Sequence, residues 1–355
     1  MMRSADRAGQ HIRMVDRPSG AKRAGLPVVA LILAVGFPLA TSCTAGEPPG
    51  RAHDGDVRAS GGETTGRVPA SAPTRVRRPG APLVVVAVGD IASGSEDGPH
   101  VETARTVAGI DPDLVLGLGD FQYQKGSLRA FNNSYDRSWG RFLPRTYPIN
   151  GTSHDLYGTG EYVDYWNGGS AGAHGRTPIP QQAQWSYSFD RGGWHFVALN
   201  TSCWQRDDCD PGRWTQWLRD DLSRHRARCT LAYMHEPYWT SPTATHDRDD
   251  STRPWIDLLH EYGADVLLQA HNHDYERFAP QTPGDVRDDA GIQAFVVGTG
   301  GIQLYEFTGT APNTEARQDR SHGVLRLDLS PASYRWRFVV SDGPAFTDDG
   351  ERSCR

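Results

Sequence analysis

Residues Leu83 to Val88 form an unbroken aliphatic run, mostly β-branched, that stops at Gly89-Asp90. A run with no polar face suits a strand buried on both sides, as in a parallel sheet covered by helices. The pattern recurs. Leu114-Val-Leu-Gly-Leu118 stops at Gly119-Asp120, Thr230–Met234 stops at His235, and Asp265–Gln269 leads through Ala270 into His271. Ligand-type side chains thus arrive repeatedly at the C-terminal ends of apolar strands, the edge where α/β sheets assemble their sites. Packing alone gives no reason for that placement.

The remaining texture agrees with layered α/β architecture. His195–Leu199 and Gln293–Val297 are further apolar runs, a helix is expected around residues 100–109, and Arg213–His225 and Arg253–Tyr262 are amphipathic. Strands alternating with such stretches predict a sheet flanked by helices. Ser333–Val340 reads as a late edge strand. No internal repeat and no second linker occur, so one domain is expected over about 82–342, followed by a tail at 343–355.

The N-terminus reads as an address. Arg13, Arg17, Lys22 and Arg23 precede an apolar run from Leu26 to Ala40, then small residues up to Cys43. That order of charged, apolar and small residues marks an export signal over 1–43. The apolar run is shorter than the ~20 residues a membrane span needs. Translation could start at Met2 or Met14 as well as Met1. Leu39-Ala40-Thr41-Ser42-Cys43 also resembles a bacterial lipoprotein signal, with Cys43 as a lipid anchor; the alternative is an ordinary export signal. Residues 44–80, rich in Gly, Pro, Ala, Ser, Thr and Arg, read as a flexible linker. The chain is therefore expected outside the cytoplasm, secreted or held on the extracytoplasmic face.

Export gives the cysteines a meaning. Of five, setting Cys43 aside leaves Cys203, Cys209, Cys229 and Cys354. Oxidising surroundings favour two disulfides. Cys203 and Cys209 bracket a short polar loop, which predicts that pair and leaves Cys229 to tie back Cys354. A thiolate metal site is a poor alternative, since no C-x-x-C spacing occurs. The formal net charge of -6, without a compensating Lys/Arg stripe, carries no nucleic-acid-binding signature.

His271-Asn272-His273 is the sharpest local signal. In an extended segment, side chains two apart share a face, so both imidazoles can reach neighbouring metals. Gly119-Asp120-Phe-Gln-Tyr123 is the second: a carboxylate can bridge two cations, and a phenolate favours a hard, highly charged ion. Each residue has a plainer reading. Asp90 could cap the helix starting near Pro99, Asp120 could cap a loop, Tyr123 could be a half-buried ring, and His235 a satisfied core histidine. Together the set favours metals.

In order and spacing, Gly89-Asp90, Gly119-Asp120-x-x-Tyr123, His235 and His271-x-His273 resemble the calcineurin-like metallophosphoesterases. The tyrosine after G-D-x-x, and Ala92 in place of a histidine two residues after Asp90, resemble the purple acid phosphatase branch, and the late Phe346-Thr347-Asp348 its exported bacterial type. The resemblance spans 83–342. It implies a four-layer αββα sandwich of two mixed β-sheets flanked by helices. It also implies two metal ions, Fe with Zn, Mn or Fe. One would take Asp90, Asp120, Tyr123 and His273; the other would share Asp120 and take His235 and His271. A hydroxide between them would attack the phosphorus of a phosphorylated small molecule or polymer, with a monoester favoured and a diester as the alternative. His154 corresponds to a histidine that contacts phosphate or the leaving oxygen. His246 stands near the place of an outer acid histidine; its alternative is a solvated loop residue.

The sequence departs from the family's G-N-H-D/E at Asn150-Gly151-Thr152-Ser153-His154-Asp155. Either Ser153 supplies the neutral ligand after a one-residue insertion, or Asn150 reaches back. This departure motivates a competing expectation, a degenerate member that binds metal or ligand at the cell surface without turnover. Ala270 replaces the usual glycine before H-x-H and should crowd the turn. Trp166, Trp204, Tyr238 and Trp239 read either as a rim around the site or as packing.

Overall fold

The computed structural model describes residues 80–158, 160–167, 186–225 and 227–355. The export segment, Cys43 and the linker as far as residue 79 lie outside the described residues. The described elements are β1 (Leu83–Val88), α1 (Pro99–Ile110), β2 (Leu114–Gly117), α2 (Leu128–Asn133), α3 (Tyr135–Trp139), β3 (Thr146–Pro148), α4 (Glu161–Asn167), β4 (Tyr187–Arg191) and β5 (Trp194–Leu199). They continue with α5 (Pro211–Arg224), β6 (Cys229–Met234), α6 (Arg253–Glu261), β7 (Val266–Gln269), β8 (Tyr275–Phe278), β9 (Gln293–Val297), β10 (Thr314–Gln318), β11 (His322–Ser330), β12 (Ser333–Asp342) and β13 (Asp349–Ser353).

The strands form two mixed sheets, ordered β13-β12-β11-β1-β2-β3 and β10-β8-β9-β7-β6-β5-β4. In the first, β1, β2 and β3 run parallel while β11 joins β1 antiparallel. In the second, β5, β6, β7 and β9 run parallel.

Alternation along the second sheet shows how the layers stack. Phe196, Ala198, Leu231, Tyr233, Phe295 and Val297 join the core shared with the first sheet. Their neighbours Val197, Leu199, Ala232, Met234, Ala294 and Val296 pack with Leu218 and Leu222 of α5 and Ile256 and Leu259 of α6. Period-two burial on both faces is what unbroken apolar strands require. On the other side, α1 lies over β11 and β12. The result is the expected four-layer αββα sandwich.

Two details differ from the sequence reading. Ser333–Val340 is not the edge, because β12 pairs with β11 on one side and β13 on the other. The edge strand β13 comes from the segment read as a tail, whose alternation of exposed and half-exposed polar residues gives no apolar signal. The aromatic residues pack. Trp166 lies in a fully buried cluster with Phe121, Phe131, Tyr135, Tyr162 and Tyr165, and Tyr238 and Trp239 are buried beneath Arg248 and Asp285.

Both expected disulfides are present, Cys203–Cys209 and Cys229–Cys354. The second fastens the end of β13 to the start of β6, linking the two sheets across 125 residues of sequence. A cross-link over a long loop removes more freedom from the unfolded chain than one over a short loop. Replacing Cys229 and Cys354 by alanine should lower the unfolding free energy by about 2–5 kcal/mol. Replacing Cys203 and Cys209, only 6 residues apart, should cost less. Denaturant titration of both double variants measures the difference.

Candidate metal centre

The parallel strands of both sheets point their C-terminal ends at one seam. Asp90 follows β1, Asp120 follows β2, His235 follows β6 and His271 follows β7. Turning the chain at these ends forces left-handed backbone on three non-glycine residues: φ is 59° at Asp90, 48° at Asp120 and 69° at His271. Such conformations persist only where their surroundings fix them, and they concentrate at functional sites.

The fixing contacts are visible. Oδ2 of Asp90 accepts from the His271 backbone N–H at 2.9 Å, tying β1's end to β7's end. Oδ1 of Asp120 accepts from the Thr152 N–H at 2.8 Å. A Cβ on Gly151 would lie 2.2 Å from that oxygen, so only glycine lets this loop approach the carboxylate. The replacement at Ala270 is likewise accommodated: a Cβ on Gly89 would stand 2.6 Å from the Ala270 methyl, so the two positions share room for one methyl group.

The functional atoms face one another. The Tyr123 hydroxyl donates to Oδ1 of Asp90 at 2.7 Å and lies 3.2 Å from both Asp120 Oδ2 and His273 Nε2. His273 Nε2 is 3.3 Å from Asp90 Oδ1, and His235 Nε2 is 3.2 Å from Asp120 Oδ2 and from His271 Nδ1. Backbone carbonyls hold two rings from behind, Leu118 O at His235 Nδ1 and Gln303 O at His273 Nδ1, each at 2.8 Å. That arrangement leaves both Nε2 atoms aimed inward, the usual support of a metal-binding histidine. All six residues expected as metal ligands other than Ser153 therefore converge.

Electrostatics divide the group. Burial opposes ionisation of Asp90 and Asp120, yet the imidazoles beside them hold both carboxyls below the usual range. Burial disfavours charge on His235 too, but Asp120 outweighs it and raises the ring to about 10. His271 is driven down to about 3 by burial and by the charge that His235 and His246 would place beside it. Tyr123 is pushed well up by burial and by the two carboxylates. Two buried carboxylates, three imidazoles and a phenol form a donor set of hard oxygen and nitrogen atoms that fits Zn, Fe or Mn.

Beside Asp120 stands a residue that sequence reasoning did not consider, Thr152. Thr152 Oγ1 lies 3.0 and 3.2 Å from the two Asp120 oxygens. Ser153 lines the cleft and is exposed, whereas Asn150 is buried with its amide nitrogen on Ser202 Oγ at 2.8 Å.

Above these residues opens a cleft of about 290 Å³. His154 and His246 both line it. The His154 ring lies 4.1 Å from that of Tyr123, tilted by 36°, with Nδ1 on Gln124 O at 2.7 Å, and the His246 ring lies 4.1 Å from that of His271. Gln205, Glu236 and Tyr305 complete the wall, and none was foreseen. Tyr305 stacks on His273 at 4.0 Å, but no spacing in the sequence marks it. Glu236 follows His235 directly and could have been found from that adjacency.

Two mixed sheets with this donor set at their joined strand ends define the calcineurin-like phosphoesterase fold. The chain's homologues are purple acid phosphatases. It is 24% identical over 251 residues to purple acid phosphatase 21 of Arabidopsis thaliana, covering 66% of this chain and 56% of that protein. It is 23% identical over 245 residues to the probable inactive purple acid phosphatase 1 of the same plant, covering 61% and 39%. The chain thus spans about half the length, or less, of these curated relatives. Among solved structures, a purple acid phosphatase from yellow lupin seeds superposes with a TM-score of 0.52 at 18% identity over 76% of this chain and 53% of that one. GAP50, the anchor in the inner membrane complex of Plasmodium, gives 0.60 at 13% identity over 78% and 90%. No protein-family model matches the sequence.

If the Thr152 hydroxyl supports the Asp120 carboxylate, Thr152→Val should lower metal affinity or turnover by about 10–100-fold. Ser153→Ala should leave both near wild type. Metal titration and phosphate release on the two variants check this.

Proposed function

We propose that the chain is a dinuclear-metal phosphoesterase acting outside the cytoplasm, with phosphomonoesters as the favoured substrate. The observation that carries this reading is the convergence of Asp90, Asp120, Tyr123, His235, His271 and His273 beneath a cleft flanked by His154 and His246. Asp90, Tyr123 and His273 would hold one ion, His235 and His271 the other, with Asp120 between them and Thr152 beside it. Bound there, the ions supply Lewis-acid polarisation of phosphoryl oxygens and a lowered pKa for water.

The chain's own residues do the rest. Burial beside two carboxylates keeps the Tyr123 phenol protonated, so its ionisation calls for a strongly charged cation, which favours ferric iron in the first position and Zn, Mn or Fe in the second. His154 donates through Nδ1 to Gln124 O, which leaves Nε2 as its available nitrogen for phosphate or the leaving oxygen. His246 is held by its backbone N–H on Thr243 Oγ1 at 3.0 Å, and burial disfavours its charged form. Its nitrogen suits proton exchange with a leaving group more than fixed pairing with an anion. A phosphorylated small molecule or polymer end fits a cleft of this size. Two disulfides favour an oxidising compartment, and no helix among the described residues is long and apolar enough to cross a membrane.

A second reading keeps the fold and the metal but not turnover. It is motivated by the hydroxyl in place of the family's Asn and by similarity to a relative described as probably inactive. Elemental analysis and assay separate the two. The phosphoesterase reading expects two Asp120-dependent metal ions per chain and phosphate release from an aryl phosphate, both lost in Asp120→Asn. With iron bound, it also expects a visible tyrosinate-to-iron band that disappears in Tyr123→Phe. One Asp120-dependent ion per chain with no turnover across a phosphoester panel supports the second reading, and turnover untouched by Asp120→Asn refutes the first.

A further inference from the structure

A second cluster of ligand-type side chains lies at the opposite end of the second sheet. His195 is the register partner of Thr230 at the start of β6, whereas His235 follows the end of that strand. Five residues of extended chain separate the two levels by about 16 Å. His195 shares the face of Val197, the face that α5 covers. There it meets Asp190 from β4, and Asp221 and His225 from the last turn and C-cap of α5.

The arrangement is a two-sided stack. The His195 and His225 rings lie face to face, centroids 3.5 Å apart and tilted by 20°. On one side, Nδ1 of His195 and of His225 face Oδ1 of Asp190 at 2.9 and 3.4 Å. On the other, Nε2 of His195 and of His225 face the two oxygens of Asp221 at 2.8 and 3.2 Å. Ser188 Oγ also donates to Asp221 at 2.7 Å. His195 is fully buried, while the Asp190 and His225 side chains are 62% and 29% exposed.

Proton counting makes this cluster unusual. His195 hydrogen-bonds one carboxylate through each ring nitrogen, which takes both N–H groups of a cation, and His225 faces the same two carboxylates at ion-pair distance, 3.4 and 3.2 Å. Two cationic rings stacked at 3.5 Å repel each other. A divalent cation on the Nδ1 side balances the same two carboxylates without that repulsion. Both rings are then neutral, each giving its Nε2–H to Asp221 and its Nδ1 lone pair to the ion. Asp221 becomes the carboxylate that orients two histidine ligands, a common support of zinc sites. Asp190 supplies an oxygen ligand, and its exposure leaves a position for water.

We propose that His195, His225 and Asp190 form a separate binding site for a zinc-like divalent ion, clamping the β4–β5 hairpin to the C-terminal end of α5. The ion would act structurally, away from the seam that carries Asp120.

The test equilibrates the wild-type chain, His225→Ala and Asp190→Asn with zinc, removes loosely held metal by gel filtration and counts zinc per chain. Both substitutions are at solvent-accessible positions. The site predicts one zinc fewer per chain in each variant than in wild type, whatever the other centre holds, with aryl-phosphate hydrolysis unchanged. Equal zinc content in all three proteins overturns it. A second measurement needs no variant: zinc should protect His225 of the wild-type chain from acylation by diethylpyrocarbonate, read by peptide mass spectrometry. Modification of His225 that ignores zinc also overturns the proposal.

Discussion

Two buried carboxylates set the terms for the rest of this structure. Asp90 and Asp120 are almost wholly removed from water, and a buried anion is tolerated only when hydrogen-bonded and paired. Each carboxylate therefore binds a backbone N–H from a distant segment, His271 for Asp90 and Thr152 for Asp120. The Asp90 bond crosses from the first sheet to the second, and the Asp120 bond joins the loops after β2 and β3. The left-handed conformations at Asp90, Asp120 and His271 belong to the same bargain, because an ordinary strand end would not turn the carboxylates and the ring toward one point.

Much of this was legible in the chain itself. The strands that deliver ligands are buried on both faces, so their sequences are continuously apolar and end abruptly at a polar residue. Burial makes them conspicuous, and the site inherits that conspicuousness through Asp90, Asp120, His235 and His271. The disulfides were legible because four cysteines beyond an export-like segment leave few pairings. What stayed hidden follows from the opposite circumstances. Tyr305 sits in a loop after β9, where no periodicity constrains it. Thr152 takes its place from the trajectory of one loop past Asp120, permitted by the missing side chain at Gly151. Strand β13 gains its stability from backbone pairing with β12 rather than from an apolar face. Neither loop trajectory nor backbone pairing writes a residue pattern.

Ala270 shows why single-position departures from a family pattern mislead when read alone. A methyl group there crowds the turn only if its neighbour also carries one, and Gly89, far away in sequence, does not. The cost belongs to the pair. Thr152 follows the same logic: a loop without the family's amide at the expected place brings a hydroxyl within 3.0 Å of the Asp120 carboxylate.

The two His/Asp clusters use similar groups under different constraints. At the seam, the acids are buried and the imidazoles are driven apart, His235 up to about 10 and His271 down to about 3. These unlike groups lie together beneath a cleft of about 290 Å³. Around His195, the groups mirror one another, each ring touching both carboxylates, and only the edge of the stack reaches solvent. Such symmetry offers no direction for chemistry and no room for a substrate. It does join a hairpin at the sheet's edge to the end of a helix, a junction that Ser188 also fastens by donating to Asp221. Position on the sheet explains the division: strand C-termini gather open clefts, while their opposite ends face the turns that hold the layers together.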